Sequence, residues 1–196
     1  MKKRIFDLLF TLPGVIILSP LFLFIYLLII LDSKGGGFYL QKRVGRNNKD
    51  FTLFKFRTMR TGSDTEGLLT IGGNDIRITN IGHVLRKYKL DELPQLFNVI
   101  NGSMSLVGPR PEVRKYVSLY TKEQLSILKL LPGITDYASL QFFSENELLA
   151  KSSEPEQTYI MEVMPEKLRI NLIYMQKISI KADFIIILKT IKRIFN

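Results

Sequence analysis

A chain of 196 residues suits one compact domain with a membrane segment to spare. It has no cysteine and a single histidine, His83, which excludes disulfide frameworks, thiolate metal sites, His-rich zinc sites and the common serine or cysteine triads. The formal net charge of +10 favours an anionic partner, whether nucleic acid, an acidic membrane surface or a phosphorylated substrate, and charge alone does not choose among them.

Between Leu8 and Leu31 no residue is charged, and at about 1.5 Å per helical residue the stretch is long enough to cross a hydrocarbon core. It is too long for the apolar core of a secretory signal, and no small-residue cleavage pattern follows it. Lys2, Lys3 and Arg4 precede the stretch, and Lys34, Lys42, Arg43 and Arg46 follow it. A spanning helix carries its excess of Lys and Arg on one side, so basic flanks at both ends predict that both stay in the cytoplasm. In the middle, Pro20 removes a backbone donor, and Ser19 is placed to bond back to a freed carbonyl. A re-entrant helix kinked at Ser19 and Pro20 fits these features better than a plain span.

Ser33 to Gly37 reads as a hinge, followed by short strands at Phe38 to Leu40 and Phe51 to Phe56 around a turn at Gly45 to Asp50. Thr61 to Asn80 is polar and glycine-bearing and reads as a mobile loop. Helices are predicted at Ile81 to Lys89 and Leu93 to Ile100 with a polar break between them, then a loop of glycine, serine and proline over Gly102 to Pro111. Further helices are expected at Glu112 to Leu130 and Pro165 to Lys177. At the C-terminus Lys181, Lys189, Lys192 and Asn196 share one helical stripe, opposite Phe184, Ile187, Leu188, Ile191, Ile194 and Phe195. That amphipathic helix suits either the domain core or an anionic lipid surface. The expected fold is α+β: a small, mostly helical domain (35–196) with a short β-hairpin, fused to an N-terminal re-entrant membrane helix hairpin (1–34).

Asp91 and Glu92 stand just before Pro94, which suits the first turn of a helix. Free N–H groups and the helix dipole would favour an ionised carboxylate there, although aspartate also serves that position as a plain cap. Cations surround the pair in sequence: Arg86, Lys87 and Lys89 before it, Arg110 within Gly108-Pro109-Arg110-Pro111 after it, and Lys55 and Arg57 in Lys-Phe-Arg-Thr-Met. A guanidinium bonds two phosphate oxygens at once, and phosphoryl transfer needs little beyond positioning, charge neutralisation and commonly magnesium. Each arginine taken singly also reads as a solvated surface cation. His83 reads as structural. No nucleic-acid partner is expected, since there is no RNP-like motif and the chain carries a membrane segment.

The string Leu90-Asp91-Glu92-Leu93-Pro94-Gln95-Leu96-Phe97-Asn98-Val99, followed by Gly102-Ser103-Met104-Ser105-Leu106-Val107-Gly108-Pro109-Arg110-Pro111, resembles the bacterial sugar transferase family, the monotopic polyprenyl-phosphate phosphoglycosyl transferases. Further matches occur in the family's order: Lys3-Arg4-Ile5-Phe6-Asp7, Ser19-Pro20, Gln41-Lys42-Arg43-Val44-Gly45, Lys55-Phe56-Arg57-Thr58-Met59, Arg77-Ile78-Thr79 and Pro132-Gly133-Ile134-Thr135. The resemblance implies a re-entrant helix broken at Ser19-Pro20 and a catalytic domain on the cytoplasmic face of the bacterial inner membrane, in contact with its lipids. It implies a magnesium-dependent, two-step reaction between a UDP-sugar donor and a polyprenyl (undecaprenyl) phosphate acceptor. Asp91 would attack the sugar-bearing phosphorus and release UMP, and Glu92 would bind magnesium or manage a proton. Arg86 and Arg110 would contact phosphates, with Lys55 and Arg57 assigned to the same role. After Thr135 the family usually has a glycine, a tryptophan or similar residue and a downstream Asn-Gly-Arg; here Asp136-Tyr137-Ala138-Ser139-Leu140 and Ser144-Glu145-Asn146-Glu147 stand instead, so sugar and uridine contacts are not carried over. A glycosyltransferase releasing UDP and a non-catalytic membrane scaffold are the competing readings, and the sugar and the oligomeric state are not legible.

Overall fold

The computed structural model describes residues 2–63 and 75–195. Its first element, α1 (Lys2–Asp32), is a helix long and apolar enough to cross a membrane. Pro20 lacks the N–H that would bond the carbonyl of Ile16 in the helical ladder, and Ser19 Oγ donates to that carbonyl instead at 2.8 Å. The helix therefore runs on through the proline. The two ends of α1 are packed and its middle is not: Asp7 and Thr11 are buried near one end and Phe22, Ile25 and Ile29 near the other, while Ile16 and Ile17 between them are about three-quarters exposed. Phe22, Ile25 and Ile29 form a cluster with Phe56 and Leu85, and the Phe22 ring meets Phe56 edge-on at 5.7 Å.

The expected hairpin is present and longer than the sequence suggested, with β1 (Phe38–Val44) antiparallel to β2 (Asp50–Phe56). Most of the polar stretch read as a loop, 64–74, lies outside the described residues. On its described flanks Met59 bridges Ile78, and Arg60 N donates to Arg77 O at 2.9 Å. Helix α2 (Asn80–Lys87) starts at Thr79, whose hydroxyl caps Gly82 N at 3.0 Å. A 3-10 turn (Leu90–Glu92) follows, and then α3 (Gln95–Asn101). Asn98 on α3 is fully buried and acts as a surrogate strand, accepting from Phe54 N at 2.9 Å and donating to Thr52 O at 2.8 Å. It thereby satisfies the open edge of β2.

The loop expected over Gly102 to Pro111 contains a strand, β3 (Ser105–Val107), which pairs in parallel with β4 (Gly133–Thr135). The single helix expected over Glu112 to Leu130 is instead α4 (Arg114–Val117) and a separate 3-10 segment (Gln124–Lys129). The break is a reciprocal cap, in which Gln124 N donates to Thr121 Oγ1 at 3.2 Å and Thr121 N donates to Gln124 Oε1 at 2.8 Å. Beyond β4 lie α5 (Tyr137–Gln141), α6 (Glu145–Ala150), α7 (Pro155–Thr158), a π turn at Tyr159–Val163, α8 (Met164–Gln176) and α9 (Ile180–Phe195). The last two match the expected helices. In α9, Ile186 packs with Val107 and Tyr174, whereas Phe184, Leu188, Ile191 and Phe195 remain exposed.

Candidate active site

Two glycines set the geometry of the site. A β-carbon on Gly133 would lie 2.1 Å from Gly108 N, and one on Gly108 would lie 2.4 Å from Leu131 O. These backbones touch, and Gly108 N donates to Thr135 O while Gly133 N donates to Pro109 O, each at 3.0 Å. Asp136, fully buried, then caps Ser139 N at 2.6 Å with one oxygen and accepts from Arg110 N at 3.1 Å with the other. Arg110 is aimed by this arrangement. Asp136 was not singled out from the sequence, although an Asp three residues before Ser139 at a helix start is a readable cap signal.

The dyad sits in the first turn of a short 3-10 helix (Leu90–Glu92) rather than of α3, and Pro94 is the cap of α3 rather than its first residue. Lys89, just before the turn, takes a left-handed conformation (φ 54), which costs a residue with a side chain about 1–2 kcal/mol. That reversal carries the chain from α2 into α3.

Asp91, Glu92, Lys55, Arg86 and Arg110 all line one cavity of about 440 Å³, together with Arg43, Lys89 and Glu112. Arg110 grips Glu92 with both terminal nitrogens, Nη1 reaching Oε2 at 2.9 Å and Nη2 reaching Oε1, and Lys55 Nζ stands 3.6 Å from Oε1. Burial would raise the Glu92 pKa, but Arg110 and Lys55 outweigh it and hold the carboxyl well below its ordinary range. Glu92 in turn raises the pKa of Arg110. Lys55 shows the opposite balance, its ammonium pushed below its ordinary value by burial against the pull of Glu92 and Asp91.

Asp91 is only 7% exposed, and among the described residues nothing donates a hydrogen bond to its carboxylate. Burial raises its pKa, opposed by the charges of Lys55, Arg86 and Lys89. Nearby cations, rather than a helix terminus, are what favour its ionised form. Arg57 is the one predicted phosphate ligand that the structure places elsewhere. It is 6% exposed and caps the C-terminal end of α1, donating to Ser33 O at 2.8 Å, to Gly35 O at 3.3 Å and to Lys34 O. Ser19 and Pro20 lie mid-helix in the exposed part of α1.

Among the described residues no group of three or more His, Asp or Glu side chains is placed to hold a metal. Magnesium commonly takes one or two carboxylates and completes its shell with water and substrate phosphates. The adjacent Asp91 and Glu92, of which Asp91 is unpartnered and Glu92 keeps a spare lone pair, fit that sparse donor set.

Residues 1–196 match the family described as bacterial sugar transferase. Over 197 residues the chain is 35% identical to a UDP-N-acetylgalactosamine-undecaprenyl-phosphate N-acetylgalactosaminephosphotransferase of Aeromonas hydrophila, covering 99% of this chain and 44% of that protein. It is 35% identical to the exopolysaccharide production protein ExoY of Rhizobium meliloti, covering 97% and 84% respectively. To an undecaprenyl-phosphate glucose phosphotransferase of Komagataeibacter xylinus it is 36% identical, covering 98% and 36%. The chain thus spans less than half the length of the first and third of these relatives and most of the second.

Proposed function

Since the chain belongs to the bacterial sugar transferase family, we propose that it transfers a phosphosugar from a UDP-sugar to polyprenyl phosphate through a covalent aspartyl intermediate, releasing UMP. The observation that carries this reading is Asp91: a buried, unpartnered carboxylate opening onto a cavity lined by Lys55, Arg86, Lys89 and Arg110. An Asp91 oxygen attacks the sugar-bearing phosphorus, the bond from that phosphorus to the bridging oxygen breaks, and UMP leaves with the electron pair. A phosphate oxygen of the polyprenyl acceptor then attacks the same phosphorus and displaces the carboxylate, which is regenerated. The cations offset the charge of the approaching diphosphate, the main barrier to attack by an anion. Arg110 has a second role through its grip on Glu92, which keeps that carboxylate ionised beside the nucleophile. Magnesium, where bound, would be held chiefly by Glu92 and would further neutralise phosphate charge.

The membrane reading is supported by where the two ends of α1 are tied. Near its start Arg4 donates to Val99 O and, at 2.8 Å, to Ile100 O; at its end Asp32 Oδ2 accepts from Ile81 N at 3.0 Å. Both ends hold the same small domain, which a straight span with one end on each face would not allow. A re-entrant helix with its exposed middle in lipid and the domain on the cytoplasmic leaflet accounts for both attachments.

The test is a single-turnover assay with the full chain, UDP-sugar and magnesium but no lipid acceptor. UMP should appear in an amount limited by enzyme, and intact-mass spectrometry should show a phosphosugar adduct absent from Asp91→Asn. UDP release would indicate a simple glycosyltransferase. Turnover by Asp91→Asn at near wild-type rate would remove the covalent step.

A further inference from the structure

One wall of the cavity carries hydrogen-bonding capacity that the protein does not use. Most polar groups lining it are matched internally: Glu92 by Arg110, Thr135 by Thr190 at 2.7 Å, and Glu145 by Lys167 at 2.7 Å. Asn171 is different. It is 4% exposed, and neither end of its amide has a partner among the described residues, with Oδ1 wholly enclosed. Ser139 Oγ is likewise enclosed and unpartnered, and both residues line the cavity.

These two side chains come from neighbouring helices. Asn171 lies on α8 on the stripe of Met164, Lys167 and Leu168, all of which line the cavity at helical spacing. Ser139 lies on α5, which meets α8 where the Tyr137 and Tyr174 rings approach at 6.4 Å. Apolar packing asks only for a leucine at position 171, and a buried amide without a partner destabilises the fold that contains it. A ligand oxygen in the cavity that accepts from Asn171 Nδ2, the end of the amide that is not enclosed, would relieve part of that cost.

Resting on the donor reading above, we propose that Asn171, through Nδ2, recognises the hydroxyl-bearing sugar of the nucleotide donor and sets which sugar is accepted. The sugar is bonded to the phosphorus that Asp91 attacks, so it must share this cavity with the dyad. A neutral amide donor suits a ring hydroxyl or an acetamido oxygen, which takes a hydrogen bond without a counter-charge, whereas the phosphates of the donor are met by the cations lining the cavity beside Asp91. The Glu145 carboxylate on the cavity lining favours sugar over uracil, because it takes hydroxyl donors and repels carbonyl oxygens. Glu145 also falls in the 136–147 stretch, where the sequence departs from the family pattern, as a residue particular to one sugar would.

The experiment uses the full chain in detergent with polyprenyl phosphate and a panel of UDP-glucose, UDP-galactose and their N-acetylamino counterparts, reading UMP release. Asn171→Leu, close in volume and without the amide, should lower kcat/KM for the preferred donor by about tenfold relative to the poorest one. UMP should inhibit the variant as it does the wild type, and the thermal midpoint should hold or rise. Ser139→Ala, which removes only an enclosed hydroxyl, should leave the preference unchanged. Unchanged donor ratios in Asn171→Leu would overturn the proposal, as would a fall in thermal midpoint with uniform loss of activity, the mark of a structural amide. Weakened UMP inhibition with intact sugar preference would reassign Asn171 to the uracil. A wild-type chain that releases UMP from no donor fails earlier, at the donor reading itself, and takes this inference with it.

Discussion

Asp91 is held in a state that serves chemistry at the expense of stability. Its folded pKa lies above the ordinary carboxylate value because burial disfavours the charge more than Lys55, Arg86 and Lys89 favour it. The folded protein therefore binds this proton more tightly than the unfolded chain does, so the stability contributed by protonated Asp91 is present at low pH and lost as pH rises through the folded pKa. Asp91→Asn, neutral at every pH, should melt higher than wild type at neutral pH, by about 2–4 °C for each kcal/mol relieved, and calorimetry should show the gap closing on acidification. Formation of the covalent adduct should run the opposite way, failing as pH falls through that same value. Arginine placement yields a second contrast. Arg57 commits its donors to the end of α1, so Arg57→Ala should cost about 1–3 kcal/mol of stability by urea unfolding without a selective change in donor KM. Arg110→Lys should stay folded and lose about tenfold or more in kcat/KM, since lysine cannot make the paired bonds to Glu92.

At the scale of elements, the short parallel pair β3 and β4 is what presents the arginine loop. Its strands are three residues each and stand together only because Gly108 and Gly133 allow backbone contact. Gly133→Ala would place a methyl 2.1 Å from Gly108 N. We expect a loss of about 1–3 kcal/mol by urea unfolding, and a drop in kcat of about a hundredfold as Arg110 is displaced, because misplacement of about 1 Å in a site of this kind has that effect. A change elsewhere on the fold that costs as much stability should leave UMP release near the wild-type rate, so the two readouts together locate the fault in the loop. Gly36→Ala supplies the control, having no atom within 4 Å of its added carbon.

The whole molecule hangs on α1. A 31-residue helix extends roughly 46 Å at about 1.5 Å per residue, yet Arg4 and Asp32 near its two ends bind α3 and α2 of one domain. Because the chain has no cysteine, single introductions at Lys2 and Gly36 give a clean topology assay. Both should react with a membrane-impermeant thiol reagent from the cytoplasmic side of inverted vesicles and neither from the periplasmic side. Labelling from opposite sides would replace the re-entrant helix with a span. The exposed Phe184, Leu188, Ile191 and Phe195 of α9 leave that helix with an outward apolar face, while Ile186 on its inner side packs with Val107 and Tyr174.

The chain by itself determined the features whose causes are local or compositional: the apolar helix and its Ser19 bond to Ile16, the hairpin, α2 and α3, α8 and α9, and the gathering of Asp91, Glu92, Arg86, Arg110 and Lys55. The charge pattern made those residues conspicuous because cations flank a carboxylate pair, one of them in a glycine- and proline-bearing loop, a combination suited to phosphate. Thr121 and Gln124 spell a helix break, in the reciprocal cap they form, that the apolar periodicity of this stretch conceals. Tertiary structure alone decided the rest. Three-residue strands carry no period, and β3 met β4 only because two distant glycines let their backbones touch. Arg57 and Arg110 are chemically alike in sequence, and what separated them was the nearest unsatisfied partner each found on folding: the carbonyls at the end of α1 for Arg57, the Glu92 carboxylate for Arg110. Asn171 looked like any polar residue of a helix until burial left its amide without a partner inside the cavity, a condition set by contacts between segments far apart in the chain.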